Sequence, residues 1–384
     1  RPRTATMTAP NGAVRSVPLK TECAPDLMGG GILQAATSVR KRLMHVYEQQ
    51  GLHGDAFATV AAMTLGEKQR VGMELRETYN ISGASHVFAL SGLHLSIFFM
   101  LLTVLLPWFL PTTGWHNAGI MMALAVMWMY VVMVGFHASV VRAAVMLTLY
   151  SVAHIAGRFT NGIDTVMVTA FLLLLVRPHW LFEAGFQMSM LAVISIILLY
   201  SGIYYTILRA VSGIPGVRGI VIPPGKTGLL GRHSNTLFYK KRVMVTDVLV
   251  RFMVSVFSVS LAAQIGVAPL VAYYFHRFSC YFWLTNMLVS PLAMVIIVLA
   301  LLLLLTAMLP AALSWTASAV AAVLLFVVNG QNIFLRWVAQ LPGASIENIR
   351  LNAVQLVLIY VIIASTVLIL PRLRNVFWPK NLEK

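Results

Sequence analysis

Charge is what this chain has least of. Charged residues make up 10% of its 384 positions, and only 12 of them are acidic. A soluble domain carries about 25% charged residues, so a soluble globular class is excluded for the chain as a whole. Its two cysteines, Cys23 and Cys280, are too few and too far apart for a disulfide framework or a thiolate metal site. There is no His-x-His-x-Asp-His run, no signal peptide and no visible internal repeat. The first residue is Arg, so a fragment of a longer chain is expected. What is present is apolar: 59% of residues are hydrophobic and the mean hydropathy is +0.82. That composition marks a polytopic membrane protein. The net charge is +16, from 28 basic against 12 acidic residues. It is concentrated in loops and tails, as suits a cytoplasmic membrane face or a polyanionic substrate.

Residues 1–31 are polar, rich in Pro, Thr and Gly, and end in Gly29-Gly30-Gly31. They predict a linker or the remnant of a preceding domain. From 32 to 50, Ile32, Ala36, Val39, Leu43 and Val46 form a helical stripe beside Arg40, Lys41 and Arg42. An amphipathic helix lying at a membrane interface has this pattern, as does a soluble helix packed on its successor. Residues 55–66 are too short to span. With Glu67, Lys68, Arg70, Glu74 and Arg76 after them, 55–79 predicts a second surface helix. The division expected is interfacial helices over 32–80, a transmembrane domain over 81–371 and a basic cytoplasmic tail over 372–384.

Candidate spans lie at 86–110, 118–136, 138–156, 163–177, 186–209, 250–275, 281–309, 313–338 and 351–371. A span takes about 20 apolar residues. The 163–177 stretch is short, Gly266 and Pro269 interrupt 250–275, and Pro291 interrupts 281–309. Broken or re-entrant helices are tolerated at membrane depth when buried in protein or facing a water-filled cavity; an ordinary proline kink is the plainer alternative. The expected fold is therefore an all-α, polytopic transmembrane bundle with broken or re-entrant helices and N-terminal interfacial amphipathic helices. Residues 209–242 carry Arg209, Arg218, Lys226, Arg232, Lys240, Lys241 and Arg242 without an acid, and the tail after Pro371 is also basic. Both are expected in the cytoplasm.

Polar islands inside the apolar segments mark candidate functional residues, because polar groups at that depth are costly. The first is Phe88-Ala-Leu-Ser-Gly-Leu-His-Leu-Ser-Ile97, with Ser91, Gly92 and His94. Ser91 and His94 share a helical face, and Gly92 permits close backbone approach. The second is His137-Ala-Ser-Val-Val-Arg142, with Ser139 and Arg142. An arginine at the bilayer centre costs about 2.5–3.5 kcal/mol on insertion scales, so Arg142 either snorkels or faces a polar interior. The third is Glu183-Ala-Gly-Phe-Gln-Met-Ser189, with Glu183, Phe186, Gln187 and Ser189. Glu183 is a natural partner for Arg142, and an acid at a helix N-terminus is also favoured by the dipole. Arg251, Ser255, Ser258 and Ala262 then follow one helical face, broken by Gln264, Gly266 and Pro269; Asn286 and Pro291 do likewise on the next segment. Such stripes line cavities or pack helices. The two breaks on successive helices favour a shared cavity.

Together and in this order, these elements resemble the competence domain of the ComEC family, an inner-membrane channel for DNA uptake in natural transformation. The family's Ser-Gly-Leu-His element is matched by Ser91–His94 and its Ser-x-x-Arg-Ala element by Ser139–Ala143. Glu183–Ser189 matches its acid-x-Gly-Phe-Gln-x-Ser element, with Glu where Asp is commoner. Gln264, Pro269, Tyr273-Tyr-Phe275, Asn286 and Pro291 match its later elements. The resemblance runs from about 32 to 310. It implies a multi-pass plasma-membrane channel for single-stranded DNA, not an enzyme, with no cofactor. Its partners would be single-stranded DNA, the lipid bilayer and other competence proteins such as a DNA receptor, a cytosolic helicase or single-strand-binding proteins. The path would be lined by the candidate residues named above, with Phe88, Phe186, Tyr273 and Tyr274 offering stacking surfaces to bases. Two other classes compete with this reading. An intramembrane serine hydrolase needs a Ser–His pair from different helices, whereas Ser91 and His94 lie on one. A proton-coupled solute transporter usually shows inverted repeats, and none is seen.

Overall fold

The computed structural model describes residues 4–8, 14–18, 30–88, 92–109, 116–158, 161–212, 237–308 and 314–377. The protein is helical almost throughout, as expected. Among the described residues, helices α1 (Gly30–Gln49), α2 (Gly54–Leu65) and α3 (Met73–Ile81) precede nine more: α4 (Gly92–Phe109), α5 (His116–Val134), α6 (Ala138–Ile155), α7 (Gly162–Val176), α8 (Ala184–Ser212), α9 (Leu237–Phe275), α10 (Phe282–Thr306), α11 (Ser314–Ala339) and α12 (Ala353–Phe377). These nine coincide with the nine expected apolar segments. Six of them (α5, α6, α8, α9, α10 and α11) are long and apolar enough to cross a membrane, whereas α4, α7 and α12 are apolar over shorter stretches.

Two expectations need correction. First, the helices do not break at their prolines. Helix α9 runs unbroken through Pro269 and α10 through Pro291, since one missing N–H removes a single rung and neighbouring elements can hold the rest. Second, 55–79 is not one surface helix. Its sequence is apolar on every side from Ala56 to Leu65, and every one of those residues is buried, as all-round apolarity requires. Thr59 and Thr64 tolerate this burial by donating to the carbonyls of Asp55 and Val60. Helix α2 ends at Gly66, whose φ of +72° lets its N–H return to the Ala61 carbonyl.

Helix α2 packs with α1 and α3 against α10 and α11, where Tyr47, Phe57, Met63, Leu75 and Tyr79 meet Val289, Ile296, Leu303, Leu324 and Leu335. Polar groups fix this contact. Tyr79 donates to Asn332 Oδ1 at 2.7 Å and accepts from Gln331 Nε2 at 3.1 Å. Arg336 pairs with Asp55, and Arg277 pairs with Glu77 at 2.7 Å. Arg40, placed by the sequence beside an interfacial stripe, pairs with Glu67 at 3.8 Å. A second core joins α4, α5 and α6 through Leu95, Met127, Val131, Val140 and Ala144. A third joins α6, α7 and α8.

Two short antiparallel ribbons accompany the helices. Strands β1 (Thr4–Thr8) and β2 (Val14–Pro18) pair within the segment read as linker. Strands β3 (Arg277–Ser279) and β4 (Ser345–Glu347) join the ends of α9 and α11. Helices α8 and α9 form a long antiparallel pair, held at one end by Leu208, Tyr204 and Val254 and at the other by Tyr274 on Gln187. The 213–236 connection between them and the tail after 377 lie outside the described residues.

Candidate functional site

Helices α4, α6 and α8 all begin at the end of the bundle opposite the 213–236 connection. A Cβ at Gly92 would lie 3.3 Å from the Ala143 Cβ, so the glycine lets the start of α4 close onto α6. His94 follows, buried at 4% exposure. Ser91 lies outside the described residues.

The start of α6 is set by a tight reversal. Helix α5 stops at Val134, and the N–H groups of Gly135 and Phe136 return to the Val131 carbonyl at 3.3 and 3.2 Å. Both residues are left-handed, with φ of +98° and +55°. At Phe136 this costs about 1–2 kcal/mol. The His137 carbonyl then caps α6, accepting from the N–H groups of Val140 and Val141. Arg142 follows just over one turn into the helix.

Arg142 is 3% exposed. Its Nη2 donates to the Gly185 carbonyl at 2.8 Å, and the guanidinium lies 5.7 Å from the Phe186 ring centroid. Its Nε and Nη1 are buried and have no hydrogen-bond partner. Gly185 and Phe186 belong to the first turn of α8, which follows a 3-10 turn (Pro178–Phe182) and is capped by the Glu183 carbonyl. The expected Arg142–Glu183 ion pair is not formed: no contact within 4 Å joins them, and the half-exposed Glu183 carboxylate lies 3.9 Å from His179 Nε2. The backbone explains this, since capping α8 with the Glu183 carbonyl leaves the side chain directed to the surface.

Gln187 is a tie rather than a free donor. Its Nε2 donates to the Leu181 carbonyl at 2.9 Å, and its Oε1 accepts from the Tyr274 hydroxyl at 3.0 Å. Gly92, Arg142, Glu183, Phe186 and Gln187 are thus brought to one rim, with Tyr274 as a member whose hydroxyl role the sequence did not reveal. Phe186 does not offer a face to bases: at 4% exposure it packs with Val166, Leu173, Trp180 and Met190. Nor does Phe88, stacked 4.0 Å from Tyr79. Ser139 and Ser189, nearby in sequence, are half-buried.

The second predicted stripe is elsewhere. Arg251 lies 23 residues before Tyr274 on α9, about 35 Å along the helix. It pairs with Asp247 at 2.8 Å, one turn earlier on the same face, a signal the sequence did contain. Ser255 meets the Tyr200 hydroxyl at 3.1 Å, Ser258 donates to its own helix at Val254, and Ala262 is fully buried. This face is therefore a packing seam between α8 and α9, not a cavity wall. Gln264 and Pro291 are half-buried and Pro269 is buried. Asn286 is half-buried with its Oδ1 unpartnered. Among the described residues no three His, Cys, Asp or Glu side chains are grouped to hold a metal ion.

Electrostatically, the rim gathers the positive ends of three helix dipoles around a buried guanidinium. A family model for competence protein matches residues 63–373. ComE operon protein 3 of Bacillus subtilis (strain 168) is 27% identical over 256 residues, which are 66% of this chain and 27% of that protein. An uncharacterized protein of Aquifex aeolicus (strain VF5) is 26% identical over 162 residues, 42% of this chain and 38% of its own. The chain thus spans about a quarter of the length of the Bacillus protein it matches. No solved structure matches it. With the family match running from within α2 to within α12, the chain belongs to the competence protein family.

Proposed function

We propose that the bundle conducts single-stranded DNA across the plasma membrane into the cytoplasm during natural transformation, as a channel rather than an enzyme. The observation that carries this reading is Arg142. A full charge with two unmet donors, buried among helix N-termini, has the chemistry to take a phosphate. Such a charge is costly to keep in the interior, so a structural role alone is a weak reason for it. A sparse positive charge is also apt for passage, since a conduit must bind each phosphate weakly enough to release it. The seven cations of 209–242 support a cytoplasmic side for that connection, with the rim at the opposite end facing outward. Arg142 meets the strand on entry, and the basic connection meets it, or a cytosolic partner, on exit. A receptor delivering DNA to the rim and a helicase or single-strand-binding protein receiving it inside complete the reading.

A photo-crosslinking amino acid at Gly185 tests it, because a side chain there points into open space beside Arg142. During uptake it is expected to capture labelled incoming DNA. The same probe at the exposed position Val357 on α12 is expected to capture none. A Gly185 probe that never captures DNA in cells that still transform would overturn the proposal.

A further inference from the structure

Pro269 lies inside α9 and has no N–H, so the Ile265 carbonyl loses its helical donor. The proline ring also crowds that carbonyl and weakens the next rung, from the Leu270 N–H to the Gly266 carbonyl. A side chain from another helix sits on that rung. The Tyr360 hydroxyl of α12 donates to the Gly266 carbonyl at 2.8 Å. On its other side Gly266 is pressed against α8, where a Cβ would come within 3.0 Å of the Leu191 carbonyl oxygen. The segment before the proline is therefore clamped to α8.

The segment after the proline is tied elsewhere. The Ile349 N–H donates to the His276 carbonyl at 3.1 Å, and His276 Nδ1 lies 3.0 Å from the Ile349 carbonyl oxygen. Strand β3 pairs with β4, and Arg277 bonds Glu347 at 3.1 Å. The end of α9, the β3–β4 ribbon and the start of α12 are thus linked into one body. Tyr360 belongs to that body and reaches back across Pro269 to grip Gly266.

We propose that α9 is hinged at Gly266–Pro269 and that Tyr360 is the latch across the hinge, a positioning residue that sets the rim through Tyr274. Tyr274 stands five residues beyond Pro269, an arm of about 7.5 Å. A swing of about 20° would move it roughly 2.5 Å. That is enough to break its 3.0 Å bond to Gln187. With the latch closed, Gln187 and the first turn of α8 are held beside Arg142. With it open, that edge of the rim is released.

The inference stands apart from the DNA reading, because the hinge can be measured whatever passes the rim. Amide hydrogen exchange is followed on the full chain in lipid nanodiscs. Tyr360→Phe removes only the hydroxyl. It is expected to speed exchange of amides 270–275 about fivefold, the equilibrium factor for one hydrogen bond, with amides 250–262 unchanged. Equal exchange in both proteins, or acceleration along the whole helix, would overturn the latch. Pro269→Ala restores the missing rung and is expected to slow exchange at 270–275 and to cancel the effect of Tyr360→Phe. This second variant decides the matter even where Tyr360→Phe alone yields little folded protein: no slowing in Pro269→Ala refutes the hinge.

Discussion

Replacing Arg142 by methionine separates function from stability at the rim. The substitution keeps much of the volume and removes the charge. It loses one charge-assisted hydrogen bond to Gly185, worth about 1.5–3 kcal/mol. It also loses the guanidinium–Phe186 contact, worth about 0.5–2 kcal/mol. Against this it removes the burial of a cation with two unmet donors, a penalty of several kcal/mol. The Gly185 carbonyl keeps its place in the α8 ladder, so no buried acceptor is stranded. The terms cancel to within about 2 kcal/mol, and Arg142→Met is expected to reach normal abundance with an unchanged or higher Tm. Transformation is expected to fall to background. Arg142→Lys should recover only part of it, because an ammonium lacks the planar fork. Exchanging Arg142 and Glu183 should not rescue, since the two are not paired. Transformation frequency is measured beside membrane-protein abundance and Tm in the same strains. Wild-type transformation in Arg142→Met would remove the residue from the mechanism. Loss of folded protein would make its role structural and refute the reasoning.

Arg251→Ala removes a partly exposed i,i+4 pair, costs about 0.3–0.5 kcal/mol and is expected to leave transformation close to wild type, because Arg251 lies about 35 Å along α9 from Tyr274. Gly266→Ala drives a methyl toward the Leu191 carbonyl and is expected to lower stability by about 1–3 kcal/mol, read as a lower Tm; an equal Tm would show that α8 can yield. Burial pushes the Tyr79 phenol from 10.0 up to about 12. The unfolded chain ionises first, so its contribution is complete below pH 10 and is lost as pH rises from 10 to about 12. Alkaline melts of wild type and Tyr79→Phe should diverge below that window and converge through it, and parallel curves would refute the assignment.

How much was legible from sequence differs between elements. All nine apolar segments became helices where hydropathy placed them, since a backbone in or near lipid must satisfy its own hydrogen bonds and helix is the local way to do so. The rim islands were legible as well, because a charge at Arg142 or a glycine at Gly92 is conspicuous against apolar neighbours. The Arg251 stripe shows the limit. Hydroxyls at helical spacing fit a cavity and a packing seam equally, and only the presence of Tyr200 opposite Ser255 decides for the seam. Helix α2 shows another: its length suited a surface, but α10 and α11 supply two apolar faces that enclose it.

The sequence by itself determined the class, the helices and the family-bearing polar residues, because each depends on local composition and short spacing. Only the tertiary structure decided the partners: Arg142 on a backbone carbonyl rather than on Glu183, Gln187 on Tyr274, and Tyr360 across the α9 hinge. These contacts join residues from 43 to 94 positions apart. Nothing in the local pattern specifies them, because a hydrogen-bond donor in an apolar interior takes whichever acceptor helix packing brings within about 3 Å.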